Sequence, residues 1–284
     1  MASAQRRDKS SISQRLSGRY CDAGEQQALQ DDVSGAISSY QRAIELDGDS
    51  DRAHIGLGDA HLLADRDDRA MTSYRKALAK NPRSADAHFC MADVLARGGR
   101  LREAIYAMEE ACDLAPESAY YLYRLADLYL RTGDAEMAEE ALLCAVSIDP
   151  DEGLYRYKLG ELHMLADDWR LAAEAYFAAI QCAPLDDFYH IRLTSALMRL
   201  DRRNAAVNVL RRACRIAPDN RVYRYLLGEL LMLMGQLEAG SVELRRAGRL
   251  DYYDRDYVRR IKRRSGQLRE GEKLVLISAI QMYA

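Results

Sequence analysis

Apolar positions in this chain return at intervals of three and four in two short runs, and the double run repeats every 34 residues. Seven gapless windows follow: 17–50, 51–84, 85–118, 119–152, 153–186, 187–220 and 221–254. Within a window, columns 4, 7, 8 and 11 hold one cluster and columns 20, 24 and 27 the other, which predicts two amphipathic helices. Column 7 is apolar throughout (Ala23, Leu57, Met91, Leu125, Leu159, Leu193, Leu227), and column 24 alternates Tyr with Met and Leu (Tyr40, Tyr74, Met108, Leu142, Tyr176, Leu210, Leu244). Columns 8, 20 and 27 stay small (Gly58, Ala92 and Gly160 at column 8; Ala70 and Ala104 at 20; Ala77 and Ala111 at 27). Small side chains at three fixed places permit close helix approach.

The breaks between runs keep the same register. Pro82, Pro116, Pro150, Pro184 and Pro218 are the five prolines of the chain, each 34 residues from the next. Proline stops a helix by removing a backbone donor and crowding the preceding turn. Column 15 reads Asp31, Asp65, Gly99, Gly133, Asp167, Asp201 and Gly235, residues that tolerate positive φ in a turn. Column 34 reads Ser50, Ser84, Ser118, Glu152, Asp186, Asn220 and Asp254. Six of these seven are preferred N-caps, so a new helix is expected just after each.

A 34-residue helix–turn–helix unit with a small residue at column 8, Ala at 20, Tyr or Leu at 24, Ala at 27 and Pro at 32 resembles the tetratricopeptide repeat. The likeness covers residues 17–254. Its departures are the usual Trp at column 4, replaced by Tyr20, His54, His88, Leu122, Arg156, His190 and Arg224, and Gly48 and Tyr252 in the proline column. The resemblance implies an all-α, right-handed α-solenoid of seven units, with a polar segment at 1–16 and C-terminal capping helices at 255–284. Val258 and Ile261 are expected to point inward from a helix ending at Ser265-Gly266, and Leu268–Tyr283 reads as a final helix. Leu274, Leu276, Ile277 and Ile280 exceed what a solvated cap needs.

Composition adds polarity. Residues 1–20 and 249–284 each carry a net +4, so the chain's net −3 leaves −11 on the body between them. No run approaches the length of a membrane span and no apolar signal core opens the chain, which suggests a cytoplasmic protein. Six cysteines without CxxC or metal spacing fit a reducing compartment. His54, His61, His88, His163 and His190 all fall in columns 4 or 11 and read as packed side chains, not ligands; no metal and no cofactor is expected. Cys21 and Cys90 lie nearest the inner face and are the candidates for a reactive thiol. No catalytic arrangement is present, so the chain reads as a non-enzyme.

The resemblance implies that the first helix of each unit lines an inner surface through columns 2, 5, 6, 9, 12 and 13. Column 5 then supplies Phe89, Tyr123, Tyr157 and Tyr225; column 6 supplies Arg124, Lys158 and Arg192; column 9 supplies Asp59, Asp93, Asp127, Glu161 and Glu229. Tyr120, Leu154, Phe188 and Val222 add apolar surface at column 2. Such a face suits a partner segment carrying Lys, Arg or aromatic residues. The competing reading has the acids pairing four positions on, as in Asp93–Arg97 and Asp127–Arg131. Asp59, Glu161 and Glu229 have no cation at that spacing. The leading expectation is an interaction scaffold. The alternatives are self-assembly through the C-terminal region, with basic ends docking on acidic bodies, and nucleic-acid or anionic-surface binding by Arg259, Arg260, Lys262, Arg263 and Arg264.

Overall fold

The computed structural model describes residues 2–267, and among them fifteen helices and no strand. They fall into two compact units, Met1–Ile148 and Asp149–Ala284. Unit 1 holds α1 (Ala2–Leu29), α2 (Val33–Leu46), α3 (Asp51–Leu63), α4 (Asp67–Lys80), α5 (Ala85–Arg97), α6 (Leu101–Leu114), α7 (Ala119–Thr132) and α8 (Ala135–Ile148). Unit 2 holds α9 (Gly153–Leu165), α10 (Trp169–Cys182), α11 (Asp187–Arg199), α12 (Arg203–Ile216), α13 (Arg221–Leu233), α14 (Leu237–Ala247) and α15 (Tyr252–Arg264). Each odd-numbered helix up to α13 forms a hairpin with the even-numbered helix that follows it.

The hairpins follow from local chemistry. All seven column-15 residues adopt the left-handed conformation, from φ 53° at Asp201 to φ 89° at Gly133. Ser50, Ser118, Glu152, Asp186 and Asn220 cap the next helix with their side chains, whereas Ser84 occupies the cap position without such a bond. Asp254 departs from the expected pattern. Asp251 is the N-cap of α15 and Asp254 its reciprocal partner in a capping box, so the boundary drawn at 254 falls inside a helix. The left-handed Gly248 ends α14 early and opens this earlier start. The segment 1–16 is not a separate element either: α1 runs through it, and Ser17 is buried, donating to the Ala43 carbonyl at 3.0 Å. The final helix expected at Leu268–Tyr283, with Leu274, Leu276, Ile277 and Ile280, lies outside the described residues.

Packing explains the column pairs. A Cβ on Gly58 would lie 2.3 Å from the Tyr74 ring, and one on Gly160 would lie 2.5 Å from Tyr176. Each column-24 tyrosine thus faces a column-8 glycine (Gly24–Tyr40, Gly58–Tyr74, Gly160–Tyr176); where column 24 is Met108 or Leu142, column 8 is Ala92 or Ala126, and Gly228 faces Leu244. Column-20 and column-27 alanines such as Ala70, Ala77, Ala104 and Ala111 are fully buried between helices.

Column 4 has a second duty. His88 reaches the Pro82 carbonyl at 3.2 Å, Arg156 reaches that of Pro150, and Arg224 reaches that of Pro218 at 3.4 Å. The side chain that replaces the usual Trp thus ties the loop to the next helix. His54, His61 and His190 are buried.

Candidate functional site

The first-helix side chains assemble one arrangement twice. In unit 1, Phe89 stacks on Tyr121 with ring centroids 4.9 Å apart and meets Tyr120 at 5.7 Å. The Arg124 guanidinium lies over Phe89 at 5.4 Å and Tyr120 at 5.8 Å, and its Nη2 donates to Asp93 Oδ1. In unit 2, Tyr157 stacks on Tyr189 at 5.4 Å and meets Phe188 at 5.5 Å. Arg192 lies over Phe188 at 6.0 Å, and its Nε donates to Glu161 Oε1 at 2.6 Å. The five positions of one clamp are those of the other plus 68, two whole windows. In each, column 5 and column 9 of one window meet columns 2, 3 and 6 of the next. A guanidinium held between aromatic faces and a carboxylate is fixed by ring electrostatics and by charge-assisted bonding together.

This geometry corrects the local reading of the acids. Asp93 pairs with Arg124 rather than closely with Arg97, whose guanidinium stands 3.6 Å from Asp65 and Asp67. Arg131 donates to the Ala96 carbonyl at 2.8 Å. Asp59 accepts from the Tyr74 hydroxyl at 2.6 Å, and Glu161 accepts likewise from Tyr176. Sequence spacing overlooked these tyrosines because they stand 15 positions away on the second helix. The recurring Gly–Tyr pairing at columns 8 and 24 was the available signal. Column 3, with Tyr121, Tyr189 and Tyr223, was also missed. Tyr121 donates to Asp86, and Tyr223 donates to Asp187 at 2.6 Å.

Exposure divides the expected face. Tyr120 is 47% exposed and Phe188 40%, so each clamp presents one ring to solvent. Phe89, Tyr123 and Asp127 are half-buried in unit 1, as are Tyr157 and Lys158 in unit 2. Tyr225 and Arg192 are buried, contrary to an open-surface role, because α15 lies over their part of unit 2. Its Val258 and Ile261 join the apolar cluster of Ile191 and Tyr225. Lys262 pairs with Glu229, which also accepts from Tyr225 at 2.7 Å. Arg264 Nη1 reaches Glu161 Oε2 at 2.9 Å, and Arg199 donates to the Arg264 carbonyl at 2.8 Å. Glu161 and Glu229 thus have cationic partners after all, supplied from a distant helix.

The basic run is largely committed in the same way. Arg259 and Arg260 both pair with Asp256, Lys262 with Glu229 and Arg264 with Glu161, while Arg263 is exposed. The thiols are quiet. Burial first, then nearby acids, push Cys90 well above the usual thiol range, and burial raises Cys21 too, so neither is poised as a thiolate. Burial holds the Asp93 carboxyl above its ordinary value although Arg124 pulls the other way. Beside the unit 1 clamp a cavity of about 540 Å³ is bordered by Ile55, Asp59, Asp86, Phe89 and Tyr121. Among the described residues no helix is long and apolar enough to cross a membrane.

Comparisons with known proteins agree on one theme. Family profiles described as tetratricopeptide repeat match residues 28–85 and 68–119, and a second such profile matches 119–152 and 189–220. A comparison with curated proteins finds no match. Among solved structures the chain is similar to PilF of Pseudomonas aeruginosa, at TM-score 0.62 and 19% identity over 72% of this chain and 94% of that one. YrrB, described as a tetratricopeptide repeat protein with an unusual peptide-binding site, aligns at TM-score 0.54 and 19% identity over 71% and 100%. MamA from Desulfovibrio magneticus aligns at TM-score 0.53 and 22% identity over 61% and 97%.

Proposed function

This chain belongs to the tetratricopeptide repeat family, and from that premise we propose that it is a protein–protein interaction scaffold that holds a partner segment along its first-helix faces. The observation that carries this reading is the duplicated clamp, with one exposed ring beside a fixed guanidinium and a carboxylate in each unit. Preorganised aromatic and arginine side chains lose little freedom on binding, which is why such groups dominate interface energetics. YrrB, of similar fold, is described as having a peptide-binding site. Binding of nucleic acid by residues 259–264 finds less support, since four of those five cations already stand in ion pairs.

Affinity capture from a cell extract tests the reading, with Tyr120→Ala and Phe188→Ala as the comparison. Proteins held by the wild-type chain should be depleted by about tenfold from the double variant. Reversing Asp93 and Asp127 to Lys should have the same effect without unfolding the helices. Equal capture by all forms would sink the assignment.

A further inference from the structure

Unit 2 contains its own example of what a clamp accepts. Helix α15 packs against α11 and α13, both first helices of their hairpins, and its last turn reaches across to Glu161 on α9. It seats Val258 and Ile261 in the apolar cluster, then places Lys262 on Glu229 and Arg264 on Glu161. The column-9 acids of unit 2 are therefore met by cations from a helix lying on the first-helix face. Glu161 is gripped from both sides, by Arg192 at Oε1 and by Arg264 at Oε2.

Unit 1 repeats the clamp that Arg264 meets, though not the Glu229 seat of Lys262, whose counterpart two windows earlier is Glu161 in unit 2. Asp93 carries the Arg124 guanidinium at Oδ1, as Glu161 carries that of Arg192, but no counterpart of Arg264 stands on it among the described residues of unit 1. Asp59 and Asp86 border the neighbouring cavity, which also presents the aliphatic Ile55 and the Phe89 ring. Glu25 and Asp51 add to the acids of that hollow, and its cation, Arg52, is held by Asp22 and Glu25. An acidic hollow with aliphatic and aromatic walls complements a basic helix with one aliphatic edge. The chain's own α15 is not free to serve, since Val258 is fully buried and Ile261 nearly so within unit 2.

We propose that the first-helix face of unit 1 is a docking site for an amphipathic basic helix of the α15 type, contributed by another protein. The recognised pattern is two aliphatic residues three apart, followed one and three positions later by cations, as in Val258, Ile261, Lys262 and Arg264. This rests on the scaffold reading above and adds the chemistry of the partner.

A synthetic peptide of residues 251–267, with six cations against three acids, is the probe, titrated calorimetrically into the full chain at low salt. Saturable binding is expected, weakening with added salt, and weaker by about tenfold or more in Asp93→Lys and in Tyr120→Ala, both checked for helicity by circular dichroism. A peptide carrying Lys262→Glu and Arg264→Glu should not bind. Absence of binding overturns the proposal, and so does binding that Asp93→Lys and Tyr120→Ala leave intact but Phe188→Ala weakens, which would place the peptide on unit 2. Concentration-dependent self-association abolished by Asp93→Lys, without peptide binding, would also overturn it in favour of a second copy. If the peptide fails while Tyr120→Ala and Phe188→Ala still deplete captured proteins, the scaffold reading stands and only the partner chemistry falls.

Discussion

Gly58 and Tyr74 show how far one residue constrains another. The ring occupies the space a Cβ would need, so Gly58→Ala must push Tyr74 off Asp59 or force α3 from α4. Overpacking of this kind costs about 1–3 kcal/mol, to be read as a lower urea midpoint. Restoring space with Gly58→Ala plus Tyr74→Leu, the pairing natural to Ala126 and Leu142, should recover much of the loss. His190 is buried, and burial lowers its folded pKa below the ordinary value of 6.5, although the Asp186 carbonyl opposes this. The unfolded chain then takes up the proton first, so stability is complete above about 6.5 and declines as pH falls toward the folded value. Melting temperatures at about pH 7.5 and 5.5 should differ less in His190→Leu, which copies Leu122, than in the wild type. The helical role of these residues was legible from their columns. The Tyr74 hydroxyl on Asp59 was not, because a phenol counted as an apolar filler gives no sign of which carboxylate its far end meets.

At the scale of the helix, turn and cap chemistry decided the boundaries, and these were readable wherever one residue acts on its own neighbours. Ser118 accepts from the Tyr121 backbone at 3.3 Å, while Ser84 makes no such bond. Ser118→Ala should therefore lower stability by about 0.5–2 kcal/mol and Ser84→Ala by distinctly less, a contrast that denaturant titration of the two variants would expose. Position alone suggested equality. The misplaced boundary at Asp254 has the same origin: Asp251 and Asp254 are both good caps three apart, and only Gly248 ending α14 early decides between them.

For the whole chain, the basic ends and acidic body announced an electrostatic arrangement but not its address. Within one chain, α15 brings Lys262 and Arg264 to Glu229 and Glu161 in unit 2. Sequence spacing could not show this, because Arg264 and Glu161 are 103 positions apart. Lys262→Glu with Arg264→Glu should loosen that seat, so amides of α15 should exchange faster by mass spectrometry while those of α3 to α7 keep their rates. Exchange unchanged in α15 would assign its placement to Val258 and Ile261 alone. The clamps carry one further implication. Each is completed only where two consecutive windows meet, with Phe89 and Asp93 from one and Tyr120, Tyr121 and Arg124 from the next. Recognition capacity in such a chain is therefore counted in junctions, one fewer than the modules that form them. Inserting a module with mismatched columns inside a clamp would break that one junction and put two mismatched ones in its place, whereas shifting the sequence by two modules would leave the reading frame of the clamps intact.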